Sequence, residues 1–202
     1  MNKYILCTDG SAKLVGDSLY DSASAFCLFD EKMNIIKKGS EYLKGKTNNY
    51  AEMYAIFKGT KFIMEQCILD DIDRLVIVSD SKLCISSLSI WMPGWIKNSK
   101  NEILVNSTGQ PVANQELIKS TFINILILNN SLDVLYTHIN SHQAKNKLLS
   151  NYDKFCFKNG KEIISFNEYI KIFEANDICD KLAKKELSIK RRVNMKKYIA
   201  NL

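Results

Sequence analysis

The chain has 202 residues, 46% hydrophobic and 25% charged, with a formal net charge of +6. These values suit one globular domain with a sizeable core and exclude a disordered chain. No apolar run reaches the roughly 18 residues of a membrane span, and residues 1–4 lead into the first predicted strand without a signal-peptide pattern.

Residues 4–8 form a continuous β-prone run that ends in Asp9 and Gly10. Such a run predicts a strand buried on both faces, with Asp9 at its carboxyl end. A charge there is costly unless it is paired or holds a metal; the other reading of Asp9-Gly10 is a turn. Residues 22–29 and 34–42 are β-prone, and Asp30-Glu31-Lys32-Met33 suits a hairpin turn between them. The three segments predict an antiparallel meander. Thr47 or an adjacent Asn caps a helix running to about Gln66, with Met53, Ile56, Phe57, Phe62 and Ile63 in its apolar stripe. Residues 75–80 are a second apolar run ending in an acid, Asp80. Residues 81–90 predict a short helix, and 91–110 an extended polar loop around one helical turn. Pro111 opens a helix to about Leu128, and residues 132–138 predict a strand ending at His138.

Beyond His142 the pattern is less regular. Two β-prone runs, 155–158 and 161–164, flank Asn159-Gly160 and predict a β-hairpin. Residues 167–174 predict one short helix and 176–199 a last helix that turns basic. Seven Lys/Arg and one acid fall in residues 184–202, leaving 21 side chains of each sign in the rest of the chain. A neutral body with a basic end makes that segment either a polyanion-binding face or a solvated helix face. The six cysteines are scattered, mostly within apolar runs. Reduced core residues explain them better than disulfides, which places the protein in the cytoplasm or elsewhere in the cell, the nucleus included, and not outside it. No repeat or long linker divides the chain. One domain is expected over residues 1–202, with an insertion at about 143–175 and a basic helical segment at about 184–202.

Acids recur at comparable places. Asp9 and Asp80 end predicted strands, Glu52 lies in the first turn of the first long helix, and Asp180 begins the last. In an α/β sheet, strand ends and helix starts converge on one edge. Carboxylates gathered there repel one another; Mg²⁺, which favours carboxylate and water oxygens, relieves that repulsion. Two such ions can clamp the attacking and leaving oxygens of a phosphodiester cleavage. Pattern reading alone does not select these four acids.

Four segments in order do select them: Thr8-Asp9-Gly10-Ser11, Thr47-Asn48-Asn49-Tyr50-Ala51-Glu52, Ser79-Asp80-Ser81 and Asn176-Asp177-Ile178-Cys179-Asp180-Lys181-Leu182-Ala183. The ordered set resembles type 1 ribonucleases H, and residues 109–114 and Tyr136-Thr137-His138 resemble further segments of that family. The resemblance covers residues 1–142 and 176 to about 190. It implies an α/β RNase H-like fold, with a five-stranded mixed sheet of three antiparallel strands followed by parallel ones, flanked by helices. It also implies a monomeric endoribonuclease that hydrolyses the RNA strand of an RNA·DNA hybrid with two Mg²⁺ ions, Mn²⁺ being the alternative. In that reading Asp9 bridges both ions, Asp180 completes the one that activates water, and Glu52 and Asp80 hold the one at the leaving group. His138 assists proton transfer or product release from a mobile loop; His142, four residues on, has a partial claim. Asn48 and Asn49 carry over as minor-groove contacts, and Thr47 and Asn114 as a phosphate pocket. Lys46 assists there, although the family's usual basic residue falls one position earlier, at Gly45. Trp91, Trp95, Lys97 and Lys100 are the residues available to grip the DNA strand, although packing explains the two tryptophans as well.

Three features depart from the family. Residues 12–17 replace a glycine-rich segment, Lys82 stands where a hybrid-reading Gln is common, and 33 residues separate His142 from Asn176. The predicted hairpin in that insertion is expected to flank the active site or touch the hybrid through Lys158 and Lys161. No separate hybrid-binding domain is expected before Asp9, and with it low processivity, or processivity from elsewhere, is expected. Two rival readings remain: a hybrid-binding protein without catalysis, against which the intact acids argue, and another nuclease of this fold, such as a junction resolvase or exonuclease, against which Thr47-Asn48-Asn49 argues.

Overall fold

The computed structural model of the protein describes residues 2–16, 19–66, 72–140, 147–159 and 164–200. Strands β1 (Lys3–Gly16), β2 (Leu19–Phe29), β3 (Ile35–Lys44), β4 (Arg74–Ser79) and β5 (Asp133–His138) form one sheet in the order β3-β2-β1-β4-β5. The first three strands pair antiparallel, and β1–β4 and β4–β5 pair parallel. The expected fold class is therefore the observed one. Helices α1 (Asn48–Glu65), α2 (Lys82–Ser86), α3 (Met92–Asn98) and α4 (Gln115–Asn129) serve one face, and α5 (Leu148–Asn159) and α6 (Phe166–Ala200) the other. The alternation of side chains along β1 sorts the two cores. Leu6 packs with Met53, Ile56 and Ile125, whereas Ile5 and Cys7 pack with Ile172 and Cys179.

The strand does not end at Asp9, and Asp9-Gly10 is not a turn. Antiparallel pairing with β2 includes Asp9↔Ala25 and Gly10↔Ser24, while parallel pairing with β4 stops at Thr8↔Ser79. Past Thr8 the sheet loses one neighbour, and Asp9 stands in the notch this leaves, next to the end of β4. Helix α1 starts where expected: the Thr47 hydroxyl accepts the Tyr50 N–H at 3.3 Å.

Four expectations of local structure need correction. The helix expected to end at residue 90 continues through a π-turn at Ser87–Trp91 into α3. The Met92 N–H bonds back to the Ser87 carbonyl, and that widened turn lets the helix run on through Pro93. Helix α4 begins at Gln115 and not at Pro111, because Asn114 takes a left-handed conformation (φ 56°) and Val105 and Pro111 form a β-bridge. The expected 155–164 hairpin is absent on its described side: residues 155–159 finish helix α5. Tyr152 and Phe155 pack tilted against Tyr169 of α6, so residues three apart share one helix face, and Asn159-Gly160 reads equally as a helix C-terminal signal. Lys161 lies outside the described residues. Finally, the two helices expected after residue 166 are one helix of 35 residues. Its buried stripe, Tyr169, Ile172, Ala175, Cys179, Ala183 and Leu187, has no break, so Asp180 sits in mid-helix.

Gly10 faces α1. A methyl group there would lie 2.6 Å from the Glu52 backbone nitrogen and 2.9 Å from the Ala51 carbonyl carbon. Neither is the end of a flexible side chain, so α1 would have to move. Gly10→Ala is expected to destabilise the protein by about 2 kcal/mol, lowering the melting temperature by roughly 4–8 °C. Thermal unfolding followed by circular dichroism measures this; an unchanged midpoint would mean the two elements separate freely.

Candidate active site

Three elements deliver three carboxylates to one point. Asp9 comes from the notch in β1, Glu52 from the first turns of α1, and Asp80 from the residue after β4. Each offers an oxygen within 4.8 Å of the others, and among the described residues no other set of three metal-ligating side chains converges this way. Asp9 and Glu52 are buried and Asp80 is half-buried. They line a cavity of about 500 Å³ together with Ser11, Asn48, Asn176, Asp180 and Lys184. The Asp9 Oδ1 accepts the Gly10 N–H at 2.7 Å, and the Asn48 amide donates to Glu52 Oε1 at 3.2 Å. Glu52 Oε2 and Asp80 Oδ1 are buried without a hydrogen-bond partner. Buried polar atoms are nearly always satisfied, and an all-oxygen set with two spare anionic oxygens fits a hard divalent cation.

The electrostatics have the same character. Burial, then the charges of Asp80 and Asp180, push the Asp9 carboxyl up to about 8 from its ordinary 3.8. Burial, followed by Asp9 and Asp80, also holds Glu52 well above the usual carboxylate range. Without a cation the cluster therefore keeps protons near neutral pH. Asp180 lines the cavity but stands apart from the convergence, and its Oδ2 accepts from the Lys184 ammonium at 2.7 Å.

Other expected residues fall in three places. Asn48 turns toward the acids, whereas Asn49 lines a separate groove of about 290 Å³ with Trp91, Trp95, Asn106 and Asn114. Asn114 precedes α4 but makes no side-chain cap, so capping does not account for it. Thr47 does cap, and the Lys46 ammonium lies over the Tyr50 ring at 4.6 Å. Lys82, Lys97 and Lys100 are exposed and line neither depression, while the Trp91 and Trp95 rings pack tilted to one another with centroids 5.7 Å apart. His138 is held in β5 opposite Ser79, not on a loop. Its Nε2 meets the Asp80 backbone carbonyl at 3.0 Å; a carbonyl only accepts, so Nε2 carries the proton. His142 lies outside the described residues. Sequence reading assigned no role to Asn176, whose buried Oδ1 has no hydrogen-bond partner and whose side chain lines the cavity. Its position four residues before Asp180, on the same helix face, was the available signal.

A five-stranded mixed sheet with carboxylates gathered at the ends of its central strands defines the chain as a protein of the RNase H-like fold. The chain belongs to the RNase H family, whose model matches residues 1–188. Human ribonuclease H1 is 30% identical over 99 residues, 49% of this chain and 30% of that protein. Ribonuclease H of Campylobacter curvus is 29% identical over 82 residues, 41% of this chain and 48% of that protein. The matched segments thus span less than half of these relatives. Among solved structures, the PFV RNase H domain superimposes with a TM-score of 0.65 at 20% identity, covering 92% of this chain and 94% of that one. A foamy viral protease-reverse transcriptase in complex with RNA/DNA hybrid gives 0.62 at 17%, covering 91% of this chain and 20% of that one. At these identities the structures establish shared fold alone.

The Asp9 shift fixes a pH dependence. Between about pH 4 and 8 the folded, metal-free protein binds a proton that the unfolded chain has released, so stability falls as pH rises through that window. In EDTA the melting temperature should drop between pH 5.5 and 8.5, and Asp9→Asn should flatten that drop and melt about 5 °C higher at pH 8.5. Saturating Mg²⁺ should stabilise the unmodified protein more at pH 8.5 than at 5.5. Calorimetry across this grid tests the assignment; an Asp9→Asn curve parallel to the wild type would refute it.

Proposed function

We propose that the chain hydrolyses the RNA strand of RNA·DNA hybrids, leaving a 5′-phosphate and a 3′-hydroxyl, with two divalent ions held by Asp9, Glu52, Asp80 and Asp180. One observation carries the reading: three carboxylates converge within 4.8 Å, and two of their buried oxygens lack a partner. The oxygen donors suit Mg²⁺, with Mn²⁺ as the alternative. Bound there, such ions supply an activated water and stabilise the leaving oxygen.

The chain's own residues position this centre. The Gly10 amide orients Asp9, Asn48 orients Glu52, and the His138 ring fixes the backbone that carries Asp80. The groove of Asn49, Asn114, Trp91 and Trp95 offers amides to base edges and ribose hydroxyls, and aromatic surface to the bases. The names of the relatives and the hybrid bound to the foamy viral enzyme support the same substrate. In this reading the chain acts as a monomer inside the cell. The five described cysteines are free and buried, which suits a reducing compartment. No described helix is long and apolar enough to cross a membrane. A binding protein without catalysis has no use for the partnerless carboxylate oxygens, and Thr47-Asn48-Asn49 favours hybrid over junction DNA.

Cleavage assays on a labelled hybrid, duplex DNA, duplex RNA and a four-way junction test the proposal. Mg²⁺-dependent cutting of the RNA strand of the hybrid alone is expected. Asp80→Asn, a near-isostere, should lower kcat by roughly 10³-fold while the fold persists. Full activity in EDTA, or in that variant, would rule out the assigned centre.

A further inference from the structure

The basic end of the chain is not a separate tail. It is the continuation of α6, whose 35 residues extend about 52 Å. Among the described side chains of that helix the last buried one is Leu187; Ile189, Arg192 and Val193 are exposed. Here the helix borders an open space beside the acid cavity, through Lys184, Leu187, Ser188 and Arg192. On the other side of the same space, β1 and β2 continue past the notch as a two-stranded ribbon, with Leu14 and Val15 exposed. Between ribbon and helix lies a groove of about 510 Å³, lined by Ser11, Ala12, Lys13, Lys184, Leu187 and Arg192 among others.

Two observations identify its occupant. The groove opens directly from the acid cavity, since both share Ser11, Ala12 and Lys184. Its charge is also positive: Lys13 and Arg192 are exposed, and neither joins a salt bridge among the described residues. A strand whose phosphate rests over the carboxylates has a continuous path into a channel of cations. Apolar surface from Ala12 and Leu187 flanks that path, where a sugar or base can lie. We propose that this groove is a phosphate track for the strand being cut, with Lys13 and Arg192 each receiving a backbone phosphate on one side of the scissile bond. This rests on the functional reading above. It assigns the ribbon, which replaces the family's glycine-rich segment, and the basic part of α6 to one binding surface.

The test compares two double charge reversals in the inactive Asp80→Asn protein with Mg²⁺, binding a labelled hybrid over a salt series. Lys13→Glu with Arg192→Glu should raise Kd about tenfold or more at 0.1 M salt and lower the log–log salt slope by about two. Lys147→Glu with Lys154→Glu makes the same charge change at exposed positions just before and within α5 and should leave the slope near that of the parent. All the residues are exposed, and unchanged melting curves establish that the fold is retained. An unaltered slope in the first variant, or an equal fall in both, overturns the track while leaving the cleavage assignment standing. Failure of the parent protein to bind hybrid at all, together with failure of the unmodified chain to cut it, overturns the functional reading itself.

Discussion

The contact on which the site depends is a backbone contact. Helix α1 and strand β1 meet at Gly10 so closely that a methyl group would overlap the Glu52 and Ala51 main chain. Side chains of even-numbered residues on β1 fill the space under α1: Leu6 packs deeper in that layer, against Gly59. At Gly10 the series of side chains stops, and the start of the helix closes onto the strand. Glu52 is thereby brought beside Asp9, although one belongs to a helix and the other faces the opposite core by strand alternation.

That closeness works against the electrostatics. Two carboxylates are buried with a third half-buried beside them; the shifts of Asp9 and Glu52 come first from burial and then from neighbouring carboxylates, Asp80 and Asp180 for Asp9, Asp9 and Asp80 for Glu52. Packing therefore holds together groups that repel, and the fold supplies the opposing force through two full cores on either side of the sheet. Strain of this kind marks functional sites. The orphaned oxygens of Glu52 and Asp80 are its structural counterpart: buried anionic atoms that no protein donor satisfies.

The sheet was legible in the sequence because its central strands are uninterrupted apolar runs and its hairpin turn is polar. The acids became legible as a set only through the order of four short segments, since an isolated Asp-Gly reads as a turn. That local reading failed at Asp9 because pairing with β2, a tertiary contact, keeps the chain extended. The same limit explains the misread insertion. Phe155 and Cys156 are β-prone by composition, but their burial against Tyr169 and its neighbours selects a helix. The helix through Pro93 was hidden for a different reason: a π-turn leaves no sequence pattern of its own. Asn176 had no local signal beyond its spacing from Asp180, and the division of Asn48 and Asn49 between two depressions follows from the 100° step between helix neighbours, which no motif records.

The continuity of α6 has a consequence for how this protein can vary. Asp180, the core side chain Leu187 and the basic residues beyond it are fixed in phase along one rod. Adding one residue between Asp180 and Leu187 would rotate everything beyond it by about 100° and advance it by about 1.5 Å. Either the carboxylate or the anchoring leucine would then leave its place. The segment 181–186 is accordingly fixed in length. Insertions and deletions among close relatives should avoid this stretch, and the helix should act as a molecular gauge holding its basic residues at a constant remove from the acids.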